Sequence, residues 1–215
     1  MIQVHSFTFN AFQENTYILF DETKECVIID PGCYEKEEKD ELTSFIEAEN
    51  LKVKEILNTH CHVDHVLGNK FVKEYYKVRL AHHRLDEATY RAVKVYAPNY
   101  GFNMYDETTA EWFIEEGDKI RFGNSELDIL FVPGHAPGHI AFYNLKDKVC
   151  IGGDVLFYDS VGRTDLPGGD FGTLINSIHH KLFNLPDDTT VYPGHGPKTT
   201  IGREKKYNRF CALAK

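Results

Sequence analysis

The chain contains no uninterrupted apolar run of about eighteen residues, the length a membrane-crossing helix needs. Its N-terminus has neither a basic n-region nor an apolar h-region, so the usual export signal is not expected. No Cys-x-x-Cys pair occurs. The five cysteines (Cys26, Cys33, Cys61, Cys150 and Cys211) are odd in number, which argues against a disulfide framework in a chain of this size. A soluble protein of the reducing cytoplasm is expected. Positive charge is also scarce, with 24 Lys and Arg against 33 Asp and Glu and a formal net charge of −9. Nucleic-acid binding rests on basic patches that neutralise phosphates, so no nucleic-acid partner is expected, and no membrane partner either. What remains is ordinary globular composition, 42% hydrophobic and 27% charged over 215 residues, enough for one large core and one domain spanning 1–215.

Within that composition one stretch stands apart, Thr59-His60-Cys61-His62-Val63-Asp64-His65. It follows an apolar run at 53–57 that reads as a buried strand. Imidazole suits borderline divalent metals and carboxylate suits harder ones, so the mixture points to a transition-metal site. In extended backbone, residues two apart point the same way, so His60 and His62 can converge on one ion while Cys61 faces elsewhere. Asp64 and His65 are adjacent, which suits a tight turn that redirects ligands towards a second ion.

Around this motif the chain reads as mixed α and β structure. Short alternating segments at 2–8, 15–20 and 26–29 predict an antiparallel meander. Residues 35–50 carry Leu42, Phe45 and Ile46 at helical spacing under many charges, the pattern of an exposed amphipathic helix. A helix is expected over 66–75 with Gly68 allowing close approach to a neighbour, then a strand at 78–81 and a helix to Tyr96. His82-His83 lacks a carboxylate neighbour and metal-type spacing. Residues 97–106 read as a loop whose aromatics, Tyr100, Phe102 and Tyr105, either pack it down or line a cleft. A hairpin with Gly123-Asn124 as its turn is expected over 117–132.

The second half repeats one theme, a strand that delivers a ligand at its end. Apolar 130–132 leads into Gly134-His135, strand-like 149–151 into Gly152-Gly153-Asp154, and Val191-Tyr192 into Gly194-His195. With the first motif these supply His60, His62 and His135 for one ion, and Asp64, His65 and His195 for another. Asp154 is left to bridge, because a carboxylate can hold two cations about 3.5–4 Å apart. His139, four residues past His135, is expected to support a ligand by a hydrogen bond. His179 falls on a helix expected over 171–184 and outside the site.

The succession His60-x-His62-x-Asp64-His65, Gly134-His135, Gly153-Asp154, Gly194-His195 resembles the ligand motifs of the metallo-β-lactamase superfamily, in the same order and over about 15–207. The resemblance implies an α/β fold, the four-layer αβ/βα sandwich, with metals at one edge between its two sheets. Asp154 stands where zinc β-lactamases of the commonest type carry a cysteine, which disfavours antibiotic hydrolysis. The segment Gly162-Arg163-Thr164-Asp165-Leu166-Pro167-Gly168-Gly169-Asp170 is similar to short bacterial forms of glyoxalase II, the hydroxyacylglutathione hydrolases. Full-length glyoxalase II adds a C-terminal helical domain, for which a chain stopping at Lys215 has no room. Its glutathione-contacting lysine and two tyrosines correspond to Arg163, Asp165 and Pro197 here. Arg163 keeps the charge and is expected to meet a substrate carboxylate; Asp165 and Pro197 cannot copy a phenol.

The activity so implied is hydrolysis of a small-molecule thioester such as S-D-lactoylglutathione. Two divalent cations, zinc first with iron or manganese as alternatives, would share the attacking hydroxide, and Asp64 would accept a hydrogen bond from it. Persulfide dioxygenases share the fold and the Gly162–Asp165 pattern but use one iron and dioxygen; Leu166-Pro167-Gly168-Gly169 fits the short glyoxalases better. A non-catalytic, metal-stabilised binding module is the third reading. It is disfavoured because seven candidate ligands exceed the four that a structural zinc needs.

Overall fold

A computed structural model of the chain describes residues 1–213, so the last two residues of the expected domain lie outside the described ones. The first half opens as the expected meander. Strands β1 (Gln3–Phe9), β2 (Glu14–Phe20) and β3 (Glu25–Ile29) pair antiparallel. Parallel strands β4 (Lys52–Leu57), β5 (Arg79–His82) and β6 (Trp112–Phe113) follow in sequence order, so each needs a crossover. Helix α1 (Lys36–Ala48), the pair α2 (Val63–Val66) and α3 (Asn69–Tyr76), and α4 (Glu87–Tyr96) supply them. The second half builds another six-stranded sheet, ordered β14 (Thr199–Thr200), β13 (Thr190–Pro193), β10 (Val149–Gly153), β9 (Ile140–Asn144), β8 (Ser125–Phe131) and β7 (Lys119–Phe122). A small hairpin, β11 (Leu156–Phe157) and β12 (Ser160–Val161), precedes α5 (Phe171–His180), and α6 (Ile201–Tyr207) follows β14.

Three apolar cores make four layers of these elements, as the superfamily resemblance implied. Ile18, Ile28, Ile56 and Leu80 pack under Leu42, Ile46, Val72 and Val93 of α1, α3 and α4. Their sequence neighbours Leu19, Val27, Leu57 and Ala81 point the other way, onto Ile120, Ile129, Phe142 and Ile151 of the second sheet. That sheet's outer face, with Ala141, Cys150 and Val191, carries Leu174 and Ile178 of α5 and Ile201 of α6. Central strands are thus buried on both faces, which is why β3 and β4 end in continuous apolar runs. All five cysteines are free and buried within these layers.

Several boundaries differ from the sequence expectations. The helix expected over 66–75 is two helices, with Gly68 as the residue before α3. The loop expected at 97–106 begins with a 3-10 turn, Ala97–Tyr100. The helix expected over 171–184 ends at His180 and resumes as a separate 3-10 turn, Leu182–Asn184. Among the described residues no helix is long and apolar enough to cross a membrane.

Because the sheet-to-sheet core joins the two halves of the chain, a cavity there should loosen both. Phe142→Ala, at a fully buried position facing the first sheet, is expected to lower the unfolding free energy by about 3–5 kcal/mol. Urea denaturation followed by fluorescence and by circular dichroism should show one coincident transition; a loss below about 1 kcal/mol would contradict this placement of the core.

Candidate metal centre

The strand ends β4, β8, β10 and β13 all open on one edge between the sheets, and the chain leaves each through a ligand-bearing turn. Beyond β4, Thr59 is tied down by Asp30, whose carboxylate accepts the Thr59 N–H at 2.7 Å and the Thr59 hydroxyl at 2.5 Å. His62 follows in extended backbone, and Asp64 and His65 then lie in the single turn of α2. The tight turn expected at Asp64-His65 is therefore helical, and it brings Asp64 and His65 to His195 while the His65 ring stays against His60, ring centroids 4.1 Å apart. Cys61 points into the core under the helices, as its alternation predicted.

Two triads result. His60 Nε2 and His62 Nδ1 both approach His135 Nε2, at 3.2 and 2.9 Å. His195 Nε2 lies 3.1 Å from Asp64 Oδ2, and His65 Nε2 lies 3.6 Å from the same oxygen. Within each triad one donor atom per residue falls within 4.8 Å of the others. The Asp154 carboxylate sits between the triads, 3.5 Å from His135 Nε2, 3.5 Å from His195 Nε2 and 3.6 Å from His65 Nε2. His65 Nε2 and Asp154 Oδ1 are buried without a hydrogen-bond partner. Such orphaned atoms are costly unless a cation completes them, so the donor set fits two divalent ions. Room for the carboxylate comes from Gly194, where a Cβ would stand 2.1 Å from Asp154 Oδ1.

Residues 9–195 match the family model described as the metallo-beta-lactamase superfamily. The chain belongs to this superfamily. It is 39% identical over 202 residues to the hydroxyacylglutathione hydrolase GloC of Haemophilus influenzae, covering 93% of each chain. With the mitochondrial persulfide dioxygenase ETHE1 of Bos taurus it shares 32% identity over 205 residues, 93% of this chain and 72% of that one. A crystal structure of TTHA1623 in a di-iron-bound form superposes with a TM-score of 0.87 at 36% identity, covering 96% of this chain and all (100%) of that one. The structure of BLEG-1, described as a B3 metallo-beta-lactamase, superposes at 0.86 with 33% identity, covering 99% and 100%.

Of the candidate ligands His65, His135 and His195 are each fixed by the other ring nitrogen, which selects the tautomer and aims the free nitrogen. His65 Nδ1–H donates to Asp30 at 3.1 Å, and His135 Nδ1–H to the Arg163 carbonyl at 2.8 Å. His195 Nδ1–H is shared between the Phe12 and Gln13 carbonyls of the β1–β2 turn, at 3.1 and 3.2 Å. His139 makes a supporting hydrogen bond of the kind expected: its Nε2 accepts the Asp154 N–H at 3.0 Å, and its ring stacks on His60. None of Asp30, the Arg163 carbonyl and the Phe12 carbonyl was found from sequence. Asp30 lies just past the third strand of the expected meander and outside every ligand motif, and its positive φ of 51° is the one local sign of a constrained role.

Other expectations sort as follows. The Arg163 side chain is on a mouth loop as expected, but its guanidinium is paired bidentately with Asp165 at 2.7 and 2.8 Å. His82 pairs with Glu87 and His83 stacks on Phe131, apart from both triads. His179 is outside the site yet not idle, since its Nε2–H donates to the Cys211 carbonyl at 2.7 Å. Of the aromatic loop, Phe102 is buried and packs it down, while half-exposed Tyr100 meets Phe12 edge-on, ring centroids 5.5 Å apart.

Electrostatics divides the two triads. Burial pushes His60 and His139 well down and His62 down to about 3, so these rings are neutral and offer lone pairs. His65 and His195 are pushed up instead: burial opposes this, but Asp64 and Asp154 beside them outweigh it. The same pairs hold Asp64 and Asp154 below the usual carboxylate range against their burial. The metal-free Asp64–His65–His195 triad thus holds protons that a cation must displace, and its affinity for metal should fall as pH falls. Loading metal-free protein at pH 7 is expected to release about one to two protons, and about one fewer in His195→Ala. Titration calorimetry in buffers of different ionisation enthalpy counts them; release unchanged in the variant would show that the protons come from elsewhere.

Proposed function

We propose that the chain is a two-metal hydrolase of small-molecule thioesters, of the glyoxalase II type, acting on S-D-lactoylglutathione or a smaller acyl-thioester. The observation that carries this reading is Asp154 between two complete triads, the arrangement a bridging ligand needs. Kinship with GloC, named as a hydroxyacylglutathione hydrolase, supports the substrate class. In our reading His60, His62 and His135 hold one ion, Asp64, His65 and His195 the other, and Asp154 both. Zinc is our first assignment, with iron next because TTHA1623 was crystallised with two, then manganese.

When bound, the ions supply an activated water near neutral pH and an electrophile for the carbonyl oxygen. The chain's own residues do the rest. Asp64 orients the attacking water by accepting its hydrogen bond. The water oxygen adds to the carbonyl carbon to give a tetrahedral oxyanion on the substrate, whose collapse breaks the C–S bond; the thiolate leaves readily enough that no dedicated acid is needed, and the water's protons pass to solvent. Asp154 keeps its place because His139 holds its peptide N–H. Open approach is from the side of His195, the most exposed of the seven at 28%. The five free, buried cysteines suit our placement of the protein in a reducing cytoplasm.

Persulfide dioxygenase is the second reading, favoured by the likeness to ETHE1. Fully loaded protein should bind about two equivalents of metal and cleave S-D-lactoylglutathione without consuming oxygen. Asp154→Ala should lose activity by about two orders of magnitude or more, whereas His180→Ala, exposed on α5, should keep it. Oxygen uptake with glutathione persulfide faster than thioester cleavage would replace this assignment by the dioxygenase; preferential cleavage of a β-lactam would replace it by a lactamase.

Arg163 is our candidate for the substrate carboxylate. To take one it must exchange Asp165, an exposed pairing worth only about 0–1 kcal/mol. Arg163→Ala should therefore raise KM for carboxylate-bearing thioesters several-fold and leave kcat within about twofold, because a remote contact is nearly equal in ground and transition states. Steady-state kinetics decides; a fall confined to kcat would remove Arg163 from recognition.

A further inference from the structure

Asp86 is a buried carboxylate that the reaction does not use. It lies at the end of a 3-10 turn, Arg84–Asp86, just before α4, and none of its surface is exposed. Its two oxygens face two different ligand loops. Oδ2 accepts the Cys61 N–H at 2.7 Å, and Oδ1 accepts the Gly138 N–H at 2.7 Å. Cys61 sits between His60 and His62, beyond β4 of the first sheet. Gly138 sits between His135 and His139, in the connection from β8 to β9 of the second sheet.

Two links therefore join the loops where their histidines meet: the Asp86 side chain, and a backbone hydrogen bond in which the Ile140 N–H donates to the Thr59 carbonyl at 2.9 Å. No strand ladder spans this point, because the loops leave different sheets. The 2.9 and 3.2 Å approaches of His62 and His60 to His135 lie between the loops so held. Gly138 confirms how tight the junction is: a Cβ there would stand 2.5 Å from the Asp86 backbone nitrogen and 3.0 Å from Oδ1. Among the described residues no lysine or arginine forms an ion pair with Asp86, so its two oxygens are left to these two N–H groups.

We propose that Asp86 is a positioning residue for the His60–His62–His135 metal position, clamping the two loops that carry its ligands and raising its affinity for a cation selectively over the Asp64–His65–His195 position. This rests on reading the two triads as metal positions, not on the substrate.

The test is metal competition. Asp86→Asn keeps the shape but offers one acceptor oxygen to two N–H groups, so one loop is released. Zinc affinity, measured in metal-free protein against a chromophoric chelator, should fall about 10- to 100-fold at one position and change by less than about threefold at the other. Cobalt(II) loaded into the same protein should show an altered ligand-field spectrum for the first equivalent alone. Gly138→Ala, which displaces the carboxylate without removing it, should reproduce both changes. Equal weakening of both positions, tracking a lower melting temperature of the metal-free protein, would make Asp86 merely structural and overturn the proposal. So would unchanged affinity, or failure of both variants to fold. Wild-type protein that takes up no zinc would instead sink the metal-centre reading itself.

Discussion

Five imidazoles and two carboxylates converge at the edge between the sheets, and the rest of the structure answers to the cost of burying them. Without cations the Asp64–His65–His195 side is held together by protons, His65 and His195 being pushed up by their carboxylates. On the other side burial keeps His60 and His62 neutral, each with a ring nitrogen turned to His135. Such a cluster would relax apart on flexible loops. Its loops are anchored instead: the His65 ring to Asp30 after β3, the His195 ring to the Phe12 and Gln13 carbonyls after β1, and the backbone between His60 and His62 to Asp86 before α4.

These anchors explain why the fold needs two sheets rather than one. Asp30 and the β4 loop belong to the first sheet, while His135, Asp154 and His195 come from the second. Only a core that registers the sheets against each other can hold 3 Å distances across the gap. Tyr17 shows the coupling: on β2 its ring belongs to the sheet-to-sheet core, and its hydroxyl donates to the Pro193 carbonyl at 2.6 Å, one residue before Gly194. Asn15 adds two more bonds to the same turn, to the Pro193 and Gly196 carbonyls at 3.1 and 2.9 Å. Packing and ligand geometry are therefore one problem.

Much of this was legible beforehand because the ligand motifs sit where a strand's apolar run stops. Seven candidate ligands, their division into two triads and the bridging place of Asp154 all follow from strand ends and glycine-bearing turns, and the structure brings those residues together. What could not be read was anything carried by the backbone or by a partner from a distant element. The Arg163 carbonyl leaves no trace in a sequence, and Asp86 looks like any acidic residue before a helix. Sheet order was hidden too: β10 pairs parallel with β13 and antiparallel with β9, an arrangement that double-sided burial does not encode. The helical placement of Asp64 and His65 was missed because a single turn is too short to show periodicity.

The mouth obeys different rules from the centre, and Arg163 shows where one gives way to the other. Its backbone is fixed, since the carbonyl holds His135 and a Cβ on the preceding Gly162 would stand 1.9 Å from the Asp154 carbonyl oxygen. Its side chain is exposed and bound only to Asp165, a partner two residues away on the same loop. Position 163 can therefore change its side chain without moving the metal ligands, provided the peptide keeps its path. On the thioester reading we propose, recognition of the thiol part would fall to groups that the fold does not constrain. A departure such as Asp165 or Pro197 would then bear on which thioester is accepted, and not on whether the centre can hydrolyse one.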